Sequence, residues 1–116
     1  MKKYNKGNNV YKLILLLATL LFSISAFSGT SKGKITNIYV ADNSFFVLFK
    51  LDSDIKDTPR CNEQKRFSIS LGKPGGMAAY TAILEAKRNN YVVSVKGLNT
   101  CVNEWKSEDI KNIILE

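Results

Sequence analysis

From residue 34 onward the chain runs in short apolar and polar alternations, interrupted once by a segment whose apolar residues recur at helical spacing. After Gly29-Thr-Ser-Lys-Gly33, which reads as a flexible lead-in, residues 34–40 have strand composition, with Ile35, Thr36, Ile38, Tyr39 and Val40. Ala41-Asp42-Asn43-Ser44 is turn chemistry, and residues 45–51 follow as a second strand, which makes a hairpin. Phe45, Val47, Phe49 and Leu51 fall on one face of that strand; Phe46, Leu48 and Lys50 fall on the other. A strand apolar on both faces is either covered twice or presents one face as a binding surface. Residues 52–65 are polar, contain Pro59 and read as a loop carrying Cys61. Over 66–72, Phe67, Ile69 and Leu71 alternate with Ser68 and Ser70, the pattern of a third strand wet on one side.

The helical segment spans 73–90. Met77, Tyr80, Ile83, Leu84 and Lys87 lie three and four apart and predict one inward stripe. Pro74-Gly-Gly76 opens it and Asn89-Asn90 closes it, since Asn tolerates the left-handed conformation of a helix stop. Val92, Val93 and Val95 mark a fourth strand over 91–96. A fifth can be drawn over 110–115, with a frayed helix over 109–116 as the alternative. Three strands, a helix and two strands is the order of an OB-fold: mainly β, a five-stranded barrel with one α-helix between strands 3 and 4. An open antiparallel sheet with one helix is the competing arrangement.

Residues 1–28 read as a secretory signal peptide, cleaved before Gly29. Lys2, Lys3, Lys6 and Lys12 precede an apolar run over 13–24, and Ala26-Phe27-Ser28 supplies small residues at the positions a signal peptidase requires. An apolar run of about 12 to 15 residues rises only about 18 to 23 Å as a helix, short of a hydrocarbon core of roughly 30 Å, which counts against a membrane anchor. Residues 29–116 then form a single small domain with a thin core. Four of the 17 basic residues and none of the 10 acidic ones lie in the leader, so the formal charge falls from +7 to +3 on cleavage. That modest balance favours solubility and does not by itself call for a polyanion. The address is secreted or periplasmic, with no membrane contact after cleavage.

Two cysteines, Cys61 and Cys101, would enter an oxidising compartment and are expected to pair. On the chain-entropy model such a loop contributes about 4 kcal/mol, comparable to the whole stability of a small core.

The chain has no histidine, which removes the commonest general base and zinc ligand. No G-x-S-x-G or S-x-x-K surrounds its serines. Asp52-Ser-Asp54-Ile-Lys-Asp57 lacks the glycine and distant glutamate of a calcium loop, and Lys73-Pro-Gly-Gly76 is too short for a phosphate cradle. The reading is therefore non-enzymatic, with no cofactor and no metal. Trp105 stands apart, in the polar segment Asn103-Glu-Trp-Lys-Ser107. In an OB-fold that loop and the first hairpin loop flank the ligand face. An indole stacks on sugars or bases, which makes Asn103, Trp105, Lys106, Asp42 and Asn43 the candidate ligand-binding residues. The alternative is that Trp105 packs under its own loop against the disulfide.

An export signal, a hairpin opened by Gly33-Lys-Ile, Pro59-x-Cys61, a strand over 67–71, a helix from Met77 to Ala86, Tyr91-Val-Val-Ser-Val, Gly97 and Cys101, and a closing run over 110–115 together form a layout. It resembles small secreted bacterial OB-fold proteins of the kind of B subunits of A-B-type toxins, in the subtilase-cytotoxin and pertussis-like group. The resemblance implies a binding module for a glycan or protein receptor, often a homo-pentamer. A nucleic-acid-binding OB domain is the alternative, with Phe46 and Trp105 stacking on bases and Lys34, Lys50 and Lys106 on phosphates, although export makes nucleic acid a poor partner. A solitary structural domain of an exported assembly is the third reading.

Overall fold

The computed structural model describes residues 9–15, 28–104 and 106–116. Residues 9–15 are helical and exposed; the other residues before Ser28, with most of the apolar run, and Trp105 lie outside the described residues, and with them the Trp105 expectation. Among the described residues no helix is long and apolar enough to cross a membrane.

Five strands and one helix follow: β1 Thr30–Val40, β2 Phe46–Leu51, β3 Phe67–Ser70, α1 Gly76–Asn89, β4 Val92–Gly97 and β5 Glu108–Leu115. Every strand has two neighbours, in the order β1-β2-β3-β5-β4, and β4 returns to β1, so the sheet closes on itself. One pairing, β3 with β5, is parallel and the others are antiparallel. The open antiparallel alternative is excluded by that closure. So is the frayed helix at the end of the chain, because Val93 to Gly97 of β4 pair with β5 from Leu115 back to Ile110.

Closure depends on β1, which is nearly twice as long as β2. Its first half pairs with β4, from Thr30 opposite Lys96 to Lys34 opposite Val92; its second half pairs with β2, and the register slips between Ile35 and Asn37. The expectation of a flexible lead-in before residue 34 is therefore corrected. Residues 30–33 are polar and small, yet backbone bonds to two partners hold them: Thr30 and Lys56 exchange both of their N–H···O bonds at 2.9 Å, opposite the β4 ladder.

The core is Ile35, Val47, Phe49, Phe67, Ile69, Val93 and Val95 from the strands, capped by Ile83 and Ala86 of α1. The rings of Phe49 and Phe67 meet at 5.6 Å between centroids. Two expectations about this core change. Phe45 is 81% exposed, since the strand begins one residue later and Phe45 contributes only its carbonyl, to the N–H of Leu71. Leu48, on the other face of β2, is buried as well, one of the two outcomes that an apolar pattern on both faces allows. The inward stripe of α1 is rotated from the predicted one: Gly76, Ile83 and Ala86 are buried while Met77 and Leu84 are exposed. Small residues let the helix sit close to the sheet, and closeness decided the face more than side-chain size did. The predicted helix ends hold, with Asn90 left-handed at φ 56° and its N–H bonded to the carbonyl of Ala86.

The expected disulfide joins Cys61 to Cys101, with Cα atoms 6.2 Å apart. It ties the loop before β3 to the loop after β4.

Candidate functional site

Strand alternation sends Phe67 and Ile69 inward and Ser68 outward, onto the same row as Leu48 of β2 and Tyr39 of β1. The outer face of β1–β3 therefore carries Tyr39, Leu48 and Ser68 in one line, with Phe46 and Ser70 on the next row of the same face. Tyr39 is 42% exposed. The Arg66 guanidinium lies over its ring, 5.8 Å from the centroid, and the Nε–H of Arg66 donates to Ser107 Oγ at 2.5 Å. One arginine thus links the aromatic on β1 to the loop between β4 and β5.

That loop is pinned from below. Asp109, on β5 beside Ser68, is almost wholly buried. Its carboxylate accepts the hydroxyls of Ser68 at 3.0 Å and Thr100 at 2.6 Å, and the N–H groups of Val102 at 2.8 Å and Asn103 at 3.0 Å. Burial pushes the Asp109 carboxyl up, but the bonds from Thr100, Asn103, Val102 and Ser68 outweigh it and hold the pKa below the ordinary carboxylate value. The charge is thus kept where four donors converge on it. Ser68, expected to be wet, is buried because it belongs to this cluster: it donates to Asp109 and accepts the Asn103 side-chain amide at 3.2 Å.

Beyond Ser68 the parallel pairing stops after two residue pairs, and β3 and β5 diverge. A cleft of about 490 Å³ fills the gap, roofed by α1. Ala78, Ala79 and Ala82 are too short to close it, Ile69, Ile110 and Ile113 line it with apolar surface, and Ser70, Asn103, Lys73, Lys111 and Asn112 supply polar groups. Apolar walls with a few fixed polar groups are the usual composition of a small-molecule site.

Of the residues singled out by sequence, Asn103 stands in the wall of this cleft, and its backbone and side chain are both fixed. Asp42 and Asn43 are exposed at the tip of the β1–β2 turn and do not line the cleft. Lys106 reaches Glu63 at 3.8 Å, towards the loop before β3. Tyr39, Arg66, Ser68 and Asp109 were not anticipated. Tyr39 read simply as one residue of a strand, and Asp109 only as the start of the alternative frayed helix over 109–116. Among the described residues no group of three or more His, Cys, Asp or Glu side chains could hold a metal ion.

No protein-family model, curated protein or solved structure matches the chain.

Proposed function

We propose that this protein is an exported, non-enzymatic binding module of the OB-fold class that recognises a glycan through the exposed Tyr39 at the edge of the outer β1–β3 face and through the cleft between β3 and β5. The strand order β1-β2-β3-β5-β4, with the helix between β3 and β4, supports the fold assignment. In that fold the face of strands 2 and 3, between the first hairpin loop and the β4–β5 loop, takes oligosaccharides and oligonucleotides.

The observation that carries the reading is Tyr39, an exposed ring with the Arg66 guanidinium over it, in the same sheet row as Ser68, to which the side chain of Asn103 donates from the loop that Asp109 anchors. A sugar needs a flat apolar surface for its C–H face and rigid amide or hydroxyl groups for its rim. Both are present on supports already ordered, which lowers the entropic cost of binding. By sequence Trp105 belongs to the same loop and would add a second ring. A ring of copies resembling toxin B subunits is supported by Met77 and Leu84, exposed seven residues apart on one face of α1 and available to a neighbouring copy.

Glycan-array binding by the wild type, lost in Tyr39→Ala and in Trp105→Ala with the fold retained, tests the reading; native mass spectrometry tests the ring. Nucleic acid is the second reading, favoured by Phe46 and Lys50 of β2 on the same outer face. Binding of single strands that weakens steeply with added salt, with no array signal, would replace the first reading with this one.

A further inference from the structure

Glu108 is fully buried, and it lies at the junction of three segments far apart in sequence. Its Oε2 accepts the N–H of Gly29 at 2.8 Å and the N–H of Asn99 at 3.0 Å. Its Oε1 accepts the Thr58 hydroxyl at 2.7 Å; Thr58 in turn accepts the amide of the fully buried Asn62 at 2.9 Å, whose Oδ1 takes the N–H of Arg66 at 3.1 Å. These partners are neutral. The two ion pairs among the described residues, Lys32 with Glu116 and Lys106 with Glu63, lie elsewhere. A buried carboxylate is costly without a counter-charge as well as hydrogen bonds.

We infer that Glu108 is the binding site for the α-ammonium group created when the leader is removed, an inference that rests on the export reading. Hydrolysis of the Ser28–Gly29 peptide bond by a signal peptidase adds hydroxyl to the Ser28 carbonyl carbon and hydrogen to the Gly29 nitrogen. That nitrogen takes up a further proton at neutral pH, ordinary α-amino pKa values being about 7.7 to 8.0. The donor already 2.8 Å from Glu108 thereby becomes a cation without moving. The seat is shaped for it. Gly29 is buried, its carbonyl accepts the N–H of Gly97 at 2.7 Å, and a Cβ on either Gly29 or Gly97 would overlap the Glu108 carboxylate. A cut one residue earlier or later would leave the ammonium outside this seat or remove the residue that fills it.

The experiment uses protein recovered after export. Intact mass should place its first residue at Gly29; a different start would overturn the processing on which the inference rests. The thermal unfolding midpoint of that protein is then compared with the same chain bearing an acetylated α-amine and with a chain that retains Ser28. Both should melt several degrees lower, and Glu108→Gln should lower the free-amine form while removing most of the difference among the three. Equal midpoints for free and blocked amines in the wild type would overturn the ion pair itself, even with Gly29 confirmed as the start. The wild-type comparison decides the matter alone if Glu108→Gln fails to fold.

Discussion

The Ser68 hydroxyl donates to Asp109 Oδ1 at 3.0 Å across the parallel pairing of β3 with β5, and both side chains are buried. A strand and a loop are thereby fixed by one carboxylate, since the same group also takes the N–H groups of Val102 and Asn103. The loop that walls the candidate site is as rigid as that cluster makes it.

Asp109→Ala is expected to cost about 3 kcal/mol or more, because it leaves two N–H groups and two hydroxyls without their acceptor. Urea unfolding measures it. On the proposed glycan reading, binding in a glycan assay should also fall at temperatures where the variant is folded.

The same carboxylate gives the protein a defined acid sensitivity. Its folded pKa lies below the ordinary 3.8, so its contribution to stability is complete above that value and is lost as pH falls through the lower folded one. Asp109→Asn should be less stable than wild type at pH 7, with the gap narrowing below pH 3.8 in urea titrations.

Reduction of Cys61–Cys101 should remove about 4 kcal/mol and lower the melting temperature by on the order of 20 °C. Calorimetry with and without reductant reads this. An unchanged transition would mean that the Asp109 and Glu108 clusters hold the two loops unaided.

Phe67→Ala should cost about 3 to 5 kcal/mol, since its ring is wholly buried against Phe49. Phe45→Ala should change stability by no more than about 0.5 kcal/mol, as expected of an exposed side chain. The pair separates two phenylalanines that sequence alternation alone would treat alike.

Gly97→Ala should destabilise by about 2 kcal/mol or more, because the added methyl would overlap the Glu108 carboxylate. Chemical denaturation measures the loss.

What alternation and spacing could reveal was the inward side of β3, the helix ends and the disulfide: Phe67 and Ile69, Asn90, Cys61 and Cys101 each carry a local signal. What they could not reveal were residues defined by distant partners. Thr30 to Gly33 look like a linker because their order comes from backbone bonds to β4 and Lys56. Glu108 and Asp109 look like surface charge because nothing nearby in sequence announces the donors that converge on them. The rotated face of α1 followed from the fit of Gly76 and Ala86 against the sheet, which hydrophobicity alone does not encode. The candidate site was legible only as far as Asn103, whose partners Ser68 and Asp109 are respectively 35 and 6 residues away.

The position of β5 also sets an order of events. β3 and β4 each have β5 as one of their two neighbours and do not pair with each other, so without residues 108–115 the ladder is a four-stranded ribbon with two open edges. A chain delivered from its N-terminus presents β5 after every strand it joins. Until it arrives, both acidic anchors are missing and the ribbon cannot close. Of the described strands, the one that locks the fold is the last in chain order, so closure of the sheet waits for all the others.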